Sequence, residues 1–252
     1  MMNDTANNKF IVLTTNRSGS EWVMSTLNSY PGVFAHSELF LPRPQVSEGK
    51  WDSGFAYPRY VETRPQGTAL RPFSVFSYLN AFYGMPGKVG FKLMYLQLGL
   101  YPELLVYLIK HRIHVIHLVR QNHLDVMLSY AVKAKIGRSH LMVGQATPNE
   151  LRVELDTRNL LKKLNWLQEQ QNIARKLLLW FRLPHLEVAY EDLVRDQACF
   201  QRIEDFLSID SGQKIPHSAL TKIRKAGHRD VIGNYDQVKE VLVNSKFAGL
   251  LE

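Results

Sequence analysis

A chain of 252 residues can bury a large core while staying within the size of a single domain, so one α/β domain is expected over 1–252. Hydrophobic residues make up 45% and charged residues 21%, which excludes a disordered or fibrous chain. Lys and Arg number 31 against 23 Asp and Glu, a net +8 that favours anionic partners: nucleotides, nucleic acid or an acidic membrane surface.

Met1 to Asn8 is polar and has no cationic start leading into a long apolar run. No uncharged apolar stretch reaches about 18 residues. Neither a signal peptide nor a membrane span is therefore expected, and a cytoplasmic protein is inferred. Phe10 to Thr15 is an apolar, β-branched run that reads as a buried strand. Asn16-Arg17-Ser18-Gly19-Ser20 follows at once, then Val23, Met24, Leu27 and Tyr30 at helical spacing, closed by Pro31-Gly32. The order is strand, tight loop, helix. Val33 to Ala35 reads as a short extended segment leading into His36-Ser37-Glu38. Residues 41–72 are rich in Pro, Gly and aromatics, among them Trp51, Phe55, Tyr57 and Tyr60, and show no sustained period. Such long loops are usually functional, and acceptor contacts are expected across 41–84.

Val89 to Met94 predicts a strand, Pro102 to Lys110 a helix, Ile113 to Val119 a strong central strand and Asn122 to Ala134 a helix. Gly137, Gly144 and Pro148 break the pattern over 137–149, a candidate lid. Leu160, Leu164, Leu167, Ala174, Leu178 and Phe181 recur at helical intervals and predict one long amphipathic helix, with the Gln168–Gln171 tract as a solvated face. Leu186 to Tyr190 reads as the last strand, Phe200 to Leu207 and Tyr235 to Val243 as helices. Cys199 is the one cysteine, which rules out an intrachain disulfide, and it reads as helix core. The densest basic group is Lys222, Arg224, Lys225 and Arg229, more a local anion pocket than a polybasic arm, so no nucleic-acid partner is expected.

Strands alternating with helices predict a central parallel sheet flanked by helices. Such sheets bind ligands at the carboxyl ends of their strands, where the loops Asn16 to Ser20 and Arg120 to Asn122 both fall. Arg17-Ser18-Gly19-Ser20 offers a glycine for a tight turn, hydroxyls, a fixed positive charge and a helix N-terminus, which together can cradle phosphate or sulfate; a capping turn has the same residues. An ATP-binding P-loop would need a Gly-Lys pair, absent here, and the central strand ends in Arg120 where a Mg²⁺-binding aspartate would be expected. His111, His114 and His117 recur every third residue, but on a strand His114 and His117 would point to opposite faces, so no metal site is expected.

Four segments, in order along nearly the whole chain, resemble the sulfotransferases that use 3′-phosphoadenosine-5′-phosphosulfate (PAPS). The resemblance is closest to the bacterial branch that includes nodulation-factor and trehalose sulfotransferases. Thr15 to Trp22 resembles that family's 5′-phosphosulfate loop, and His117-Leu118-Val119-Arg120 followed by Ser129 its 3′-phosphate motif. Val188 to Leu193 resembles a shared strand-to-helix segment, and Asn234-Tyr235-Asp236 a segment of the bacterial branch. The resemblance implies a P-loop-like, nucleotide-kinase-like sulfotransferase fold. It also implies sulfuryl transfer from PAPS to a hydroxyl of a small-molecule or carbohydrate acceptor, without a metal and with 3′-phosphoadenosine-5′-phosphate as product.

Carried over by residue, the backbone amides of Ser18, Gly19, Ser20 and Glu21, with Arg17 and Ser20 and next to Trp22, would hold the 5′-phosphosulfate, and Arg120 and Ser129 the 3′-phosphate. The Arg-to-Ser interval is one longer than in the cytosolic phenol and steroid enzymes, and an ordinary helix-surface serine is the alternative for Ser129. Lys92 matches the family's lysine beside the transferring group; otherwise it is a solvated strand-end lysine. The histidine that the cytosolic enzymes use as base is replaced by Met94, so Glu38 becomes the expected base, with His36 as its rival. Glu38 could instead pair with Arg17 or Arg120. Trp22, Trp51 and Tyr190 are candidates for stacking on adenine or acceptor. A non-catalytic nucleotide or anion binder, an atypical ATP-dependent kinase and a sulfotransferase that has lost turnover are the competing readings.

Overall fold

The structure, a computed structural model, describes residues 8–42, 57–63, 70–137, 141–142, 151–210, 218, 220–221 and 227–251. In chain order its elements are β1 (Lys9–Thr14), α1 (Ser20–Leu27), β2 (Val33–Glu38), α2 (Tyr60–Thr63), α3 (Arg71–Phe82), β3 (Lys88–Met94), α4 (Tyr95–Leu100), α5 (Glu103–His111) and β4 (His114–Val119). There follow α6 (His123–Ile136), β5 (Leu141–Met142), α7 (Leu160–Trp180), β6 (His185–Ala189), α8 (Tyr190–Arg195), α9 (Gln201–Leu207), β7 (Leu220–Thr221), α10 (His228–Val231) and α11 (Tyr235–Val243).

Five strands form one sheet in the order β2-β3-β1-β4-β6, every pair parallel, while β5 and β7 make a separate two-residue antiparallel ladder. The expected α/β architecture with a parallel sheet is thus present. Strands covered on both faces need an uninterrupted apolar run. β1 supplies it: Ile11 and Leu13 face one layer, Phe10 and Val12 the other, all almost fully buried. On the first face lie α3, α5 and the C-terminal half of α7; on the second, α1, α8 and α9. A third cluster joins α6, the start of α7 and α11. No helix among the described residues is long and apolar enough to cross a membrane.

Several expectations change. The aromatic stretch read as an acceptor loop contributes α2 and α3, whose Tyr60, Tyr78 and Phe82 are core residues rather than loop contacts. Trp51, Phe55 and most of the remaining stretch lie outside the described residues, as do 138–140 and 143–149 of the candidate lid. Gln171 does not belong to a solvated face: it is buried on the inner stripe of α7 and donates to the Arg120 carbonyl at 3.0 Å. Cys199 sits in a 3-10 turn and is only partly buried. Of the C-terminal basic group, Arg229 is exposed on α10 and the other three lie outside the described residues.

His114 and His117 do point to opposite faces of β4: His114 packs on Phe206 at 4.9 Å, and fully buried His117 meets the Tyr95 hydroxyl at 2.7 Å and Glu187 at 2.9 Å. Arg175 closes the network with two bonds to Glu187, at 2.8 and 3.0 Å. His117, then Arg175, hold the Glu187 carboxyl at about 2, well below the 4.5 of a free glutamate. A carboxyl depressed in the folded state adds stability that is complete above its unfolded pKa and is lost as the pH falls through the folded one. Urea titrations are therefore expected to show a fall in stability from about pH 4.5 towards 2 that Glu187→Gln flattens. An unchanged slope in the variant contradicts this account.

Candidate functional site

In a parallel sheet, ligand crevices open at the carboxyl ends of strands where the connections diverge to either side. Here that point is the end of β1, since the chain leaves it for β2 and β3 on one side and β4 and β6 on the other. The loop of residues 15–19, Lys92 on β3 and Arg120 after β4 all gather there.

The loop is turned by two residues in the left-handed region, Arg17 (φ 65°) and Gly19 (φ 85°). Gly19 is required twice over. Its φ penalises a side chain, and a Cβ there would lie 2.1 Å from the Tyr190 ring that packs against it. Arg17 has a Cβ, so its conformation must be held from outside. Its Nε donates to Ser129 Oγ at 2.9 Å, and its carbonyl accepts from Arg120 at 3.2 Å. Below the turn, the Thr14 hydroxyl lies 2.7 Å from both the Ser18 hydroxyl and the Leu118 carbonyl, tying the loop to β4. Gly19 then caps α1, which begins at Ser20, and Trp22 packs edge-on against Tyr190 and Phe200 as part of the wall.

Lys92 is not a solvated strand-end lysine. It is 4% exposed and bonded to Glu21 from α1, with Glu38 of β2 at 3.1 Å. Burial acts to discharge the ammonium, but the two carboxylates outweigh it and hold its pKa above the ordinary lysine value. The other oxygen of Glu38 accepts from Gln97 at 3.0 Å, so the side chain is fixed from two directions. Glu38 is thus the partner of Lys92, not of Arg17 or Arg120.

His36 and Glu38 are two residues apart and on a regular strand would share a face. A bulge prevents it: His36 registers with Phe91 and Glu38 with Lys92, which are successive residues of β3. His36 therefore turns into the aromatic layer, 5.2 Å from the Phe82 ring and 6.3 Å from Tyr57, away from the lysine. Of the two candidate bases, only Glu38 is beside Lys92.

Arg120 donates to Asp125 at 2.8 Å, lies 3.7 Å from Glu191 and stacks over Tyr190 with 4.9 Å to the ring centre. Glu191 also accepts from the backbone of Gln121 and Asn122, each at 3.1 Å, and His228 meets the far oxygen of Asp125 at 2.8 Å. These acidic partners were not foreseen from the sequence; nor was Tyr130, next to Ser129, which is hydrogen-bonded to Asn16 and lies within the fields of Arg17 and Glu38. Burial raises the Tyr130 pKa, partly offset by Arg17, so at neutral pH the phenol remains a hydrogen-bond donor.

The result is a polar floor with two poles: Lys92 between Glu21 and Glu38 on one side of the loop, Arg17, Ser129 and Arg120 on the other. Ser18 is fully buried beneath the turn and Ser20 is nearly so, whereas Arg17 keeps partial exposure. Tyr190 links the two poles by touching both Gly19 and Arg120. Such a floor offers guanidinium and hydroxyl donors on the Arg17–Arg120 side, while on the other side the Lys92 ammonium is already met by two carboxylates. No protein-family model matches this chain, and no curated protein matches it either.

Proposed function

We propose that this chain is a PAPS-dependent sulfotransferase with a P-loop-like, nucleotide-kinase-like sheet, acting on a hydroxyl of a small-molecule or carbohydrate acceptor without a metal. The observation that carries the reading is the buried Lys92, held between Glu21 and Glu38 beside a glycine-turned, hydroxyl-bearing loop at the carboxyl ends of parallel strands. A lysine costs several kcal/mol to desolvate, and this one stays charged next to a position suited to a phosphate.

In this reading the loop amides of Ser18 to Glu21 receive the 5′-phosphosulfate, and Arg120 and Ser129 the 3′-phosphate. The acceptor oxygen attacks sulfur in line. The bond from sulfur to the bridging phosphate oxygen breaks, and its electron pair departs with 3′-phosphoadenosine-5′-phosphate. Lys92 meets the charge that grows on that oxygen, and Glu38, oriented by Gln97, takes the acceptor proton. Asp125 and Glu191 fix the Arg120 guanidinium in one orientation.

Calorimetric titration with 3′-phosphoadenosine-5′-phosphate in the absence of divalent metal tests the donor site, with ADP and ATP as controls. Preference for the 3′-phosphate is expected, and Arg120→Ala is expected to weaken binding roughly ten- to a hundredfold. Binding that ignores the 3′-phosphate, or that favours ATP with Mg²⁺, overturns the proposal in favour of a simple anion binder or a kinase.

A further inference from the structure

The inner stripe of α7 is buried, yet a second apolar line runs down its outer side. Trp166, Ile173 and Trp180 stand seven residues apart and are 56%, 44% and 81% exposed, with half-buried Leu177 between the last two. Seven residues are nearly two turns, so these side chains follow one line along the helix. Single exposed apolar residues are ordinary on a protein surface, whereas an aligned set marks an interaction site. At up to about 250 Å² for a tryptophan, the two here present roughly 300 Å² to solvent.

The line is symmetric about its midpoint. Ile173 has a tryptophan one heptad before it and another one heptad after it. Two copies of α7 packed antiparallel about a two-fold axis at Ile173 therefore set Ile173 against its counterpart and Trp166 against the partner's Trp180. Charge follows the same symmetry. Glu169 and Lys176 are both exposed on one flank of the line, four residues before Ile173 and three after it. The two-fold brings each Glu169 to within about one residue's rise, roughly 1.5 Å along the axis, of the partner's Lys176. Shape and charge thus agree on one register. A face built for an unrelated partner has no reason to match its own reversal.

We propose that this face of α7 is the interface of an isologous homodimer, with paired tryptophans and isoleucines along the seam and two Glu169–Lys176 ion pairs at its edge. The helix alone provides less than the roughly 800 Å² per partner of a standard interface, so micromolar association is expected.

Sedimentation velocity on the full chain from about 1 to 100 μM tests the dimer. A dimer is expected that Trp166→Ser with Trp180→Ser dissociates, while the circular dichroism and melting temperature of the monomer are preserved. Glu169→Lys sets like charges across the seam and is expected to weaken association about tenfold or more; adding Lys176→Glu restores it. In a Cys199→Ser background, Ile173→Cys is expected to form a disulfide-linked dimer on mild oxidation, whereas Lys162→Cys, which does not meet itself, forms none. A chain that remains monomeric throughout this range overturns the proposal. So does a dimer that survives the tryptophan substitutions or shows no rescue by the charge swap.

Discussion

Replacing Lys92 with methionine is expected to remove the proposed sulfuryl transfer and to weaken the fold at the same time. The ammonium is the only positive group among the described residues that bonds both Glu21 and Glu38, and all three side chains are largely shielded from water. Methionine fills the aliphatic space and leaves two carboxylates facing a site with no cation between them. Removing one partner of a buried ion pair typically costs about 3 kcal/mol or more. Loss of a charge-assisted donor to the leaving oxygen is expected to lower kcat at least about 10²–10³-fold. Urea denaturation and single-turnover kinetics with PAPS check the two effects separately. The variant Lys92→Met with Glu21→Gln is the informative companion: it relieves the carboxylate repulsion, so stability is expected to recover while turnover does not. Recovery of turnover would remove Lys92 from the proposed chemistry.

Gly19→Ala is expected to be the most damaging single change in the loop. A left-handed alanine costs about 1–2 kcal/mol. The added methyl would also sit 2.1 Å from the Tyr190 ring, so either the ring or the loop must move. Overpacking of this kind adds about 1–3 kcal/mol. Because Tyr190 also lies over Arg120, displacing the ring disturbs the second pole as well as the first. The expected outcome is a loss of about 2–5 kcal/mol in stability together with loss of binding of 3′-phosphoadenosine-5′-phosphate, read by thermal melting and calorimetry. Gly32→Ala is the control: its φ is 74° but a Cβ there would meet nothing within 4 Å, so it carries the backbone penalty alone. Equal effects of the two substitutions would show that the Tyr190 contact contributes nothing.

The elements legible in the sequence are those in which local pattern and tertiary environment agree. β1 and β4 are covered on both faces and so read as short, mainly apolar and β-branched runs, interrupted in β4 only by His114 and His117, and α7 keeps a regular inner stripe over 21 residues. α3 was not legible, because Pro72 sits in its first turn and its aromatics fall on both sides: Phe73 is 70% exposed while Tyr78 and Phe82 are buried. The bulge in β2 left no local signal either. Strict alternation puts His36 and Glu38 on one face, and only pairing with β3 reveals the extra residue. At the site, the loop and the cations could be read from residue type and order. Most of their acidic partners could not, since Lys92 and Glu21, for instance, are 71 positions apart and only the pairing of β3 beside β1, which leads into α1, brings them together.

The strand order also acts as a ruler. Neighbouring strands lie about 4.8 Å apart, so the backbones of β3 and β4, each one strand away from β1, run roughly 10 Å apart in the sheet direction. That interval is set by backbone hydrogen bonds, and no change of side chain at the rim can stretch or shorten it. A ligand with a single anionic end reaches one pole, and one with two is measured against both. Divergence of the surrounding loops can therefore reshape what flanks the two poles while the strand spacing beneath them stays the same.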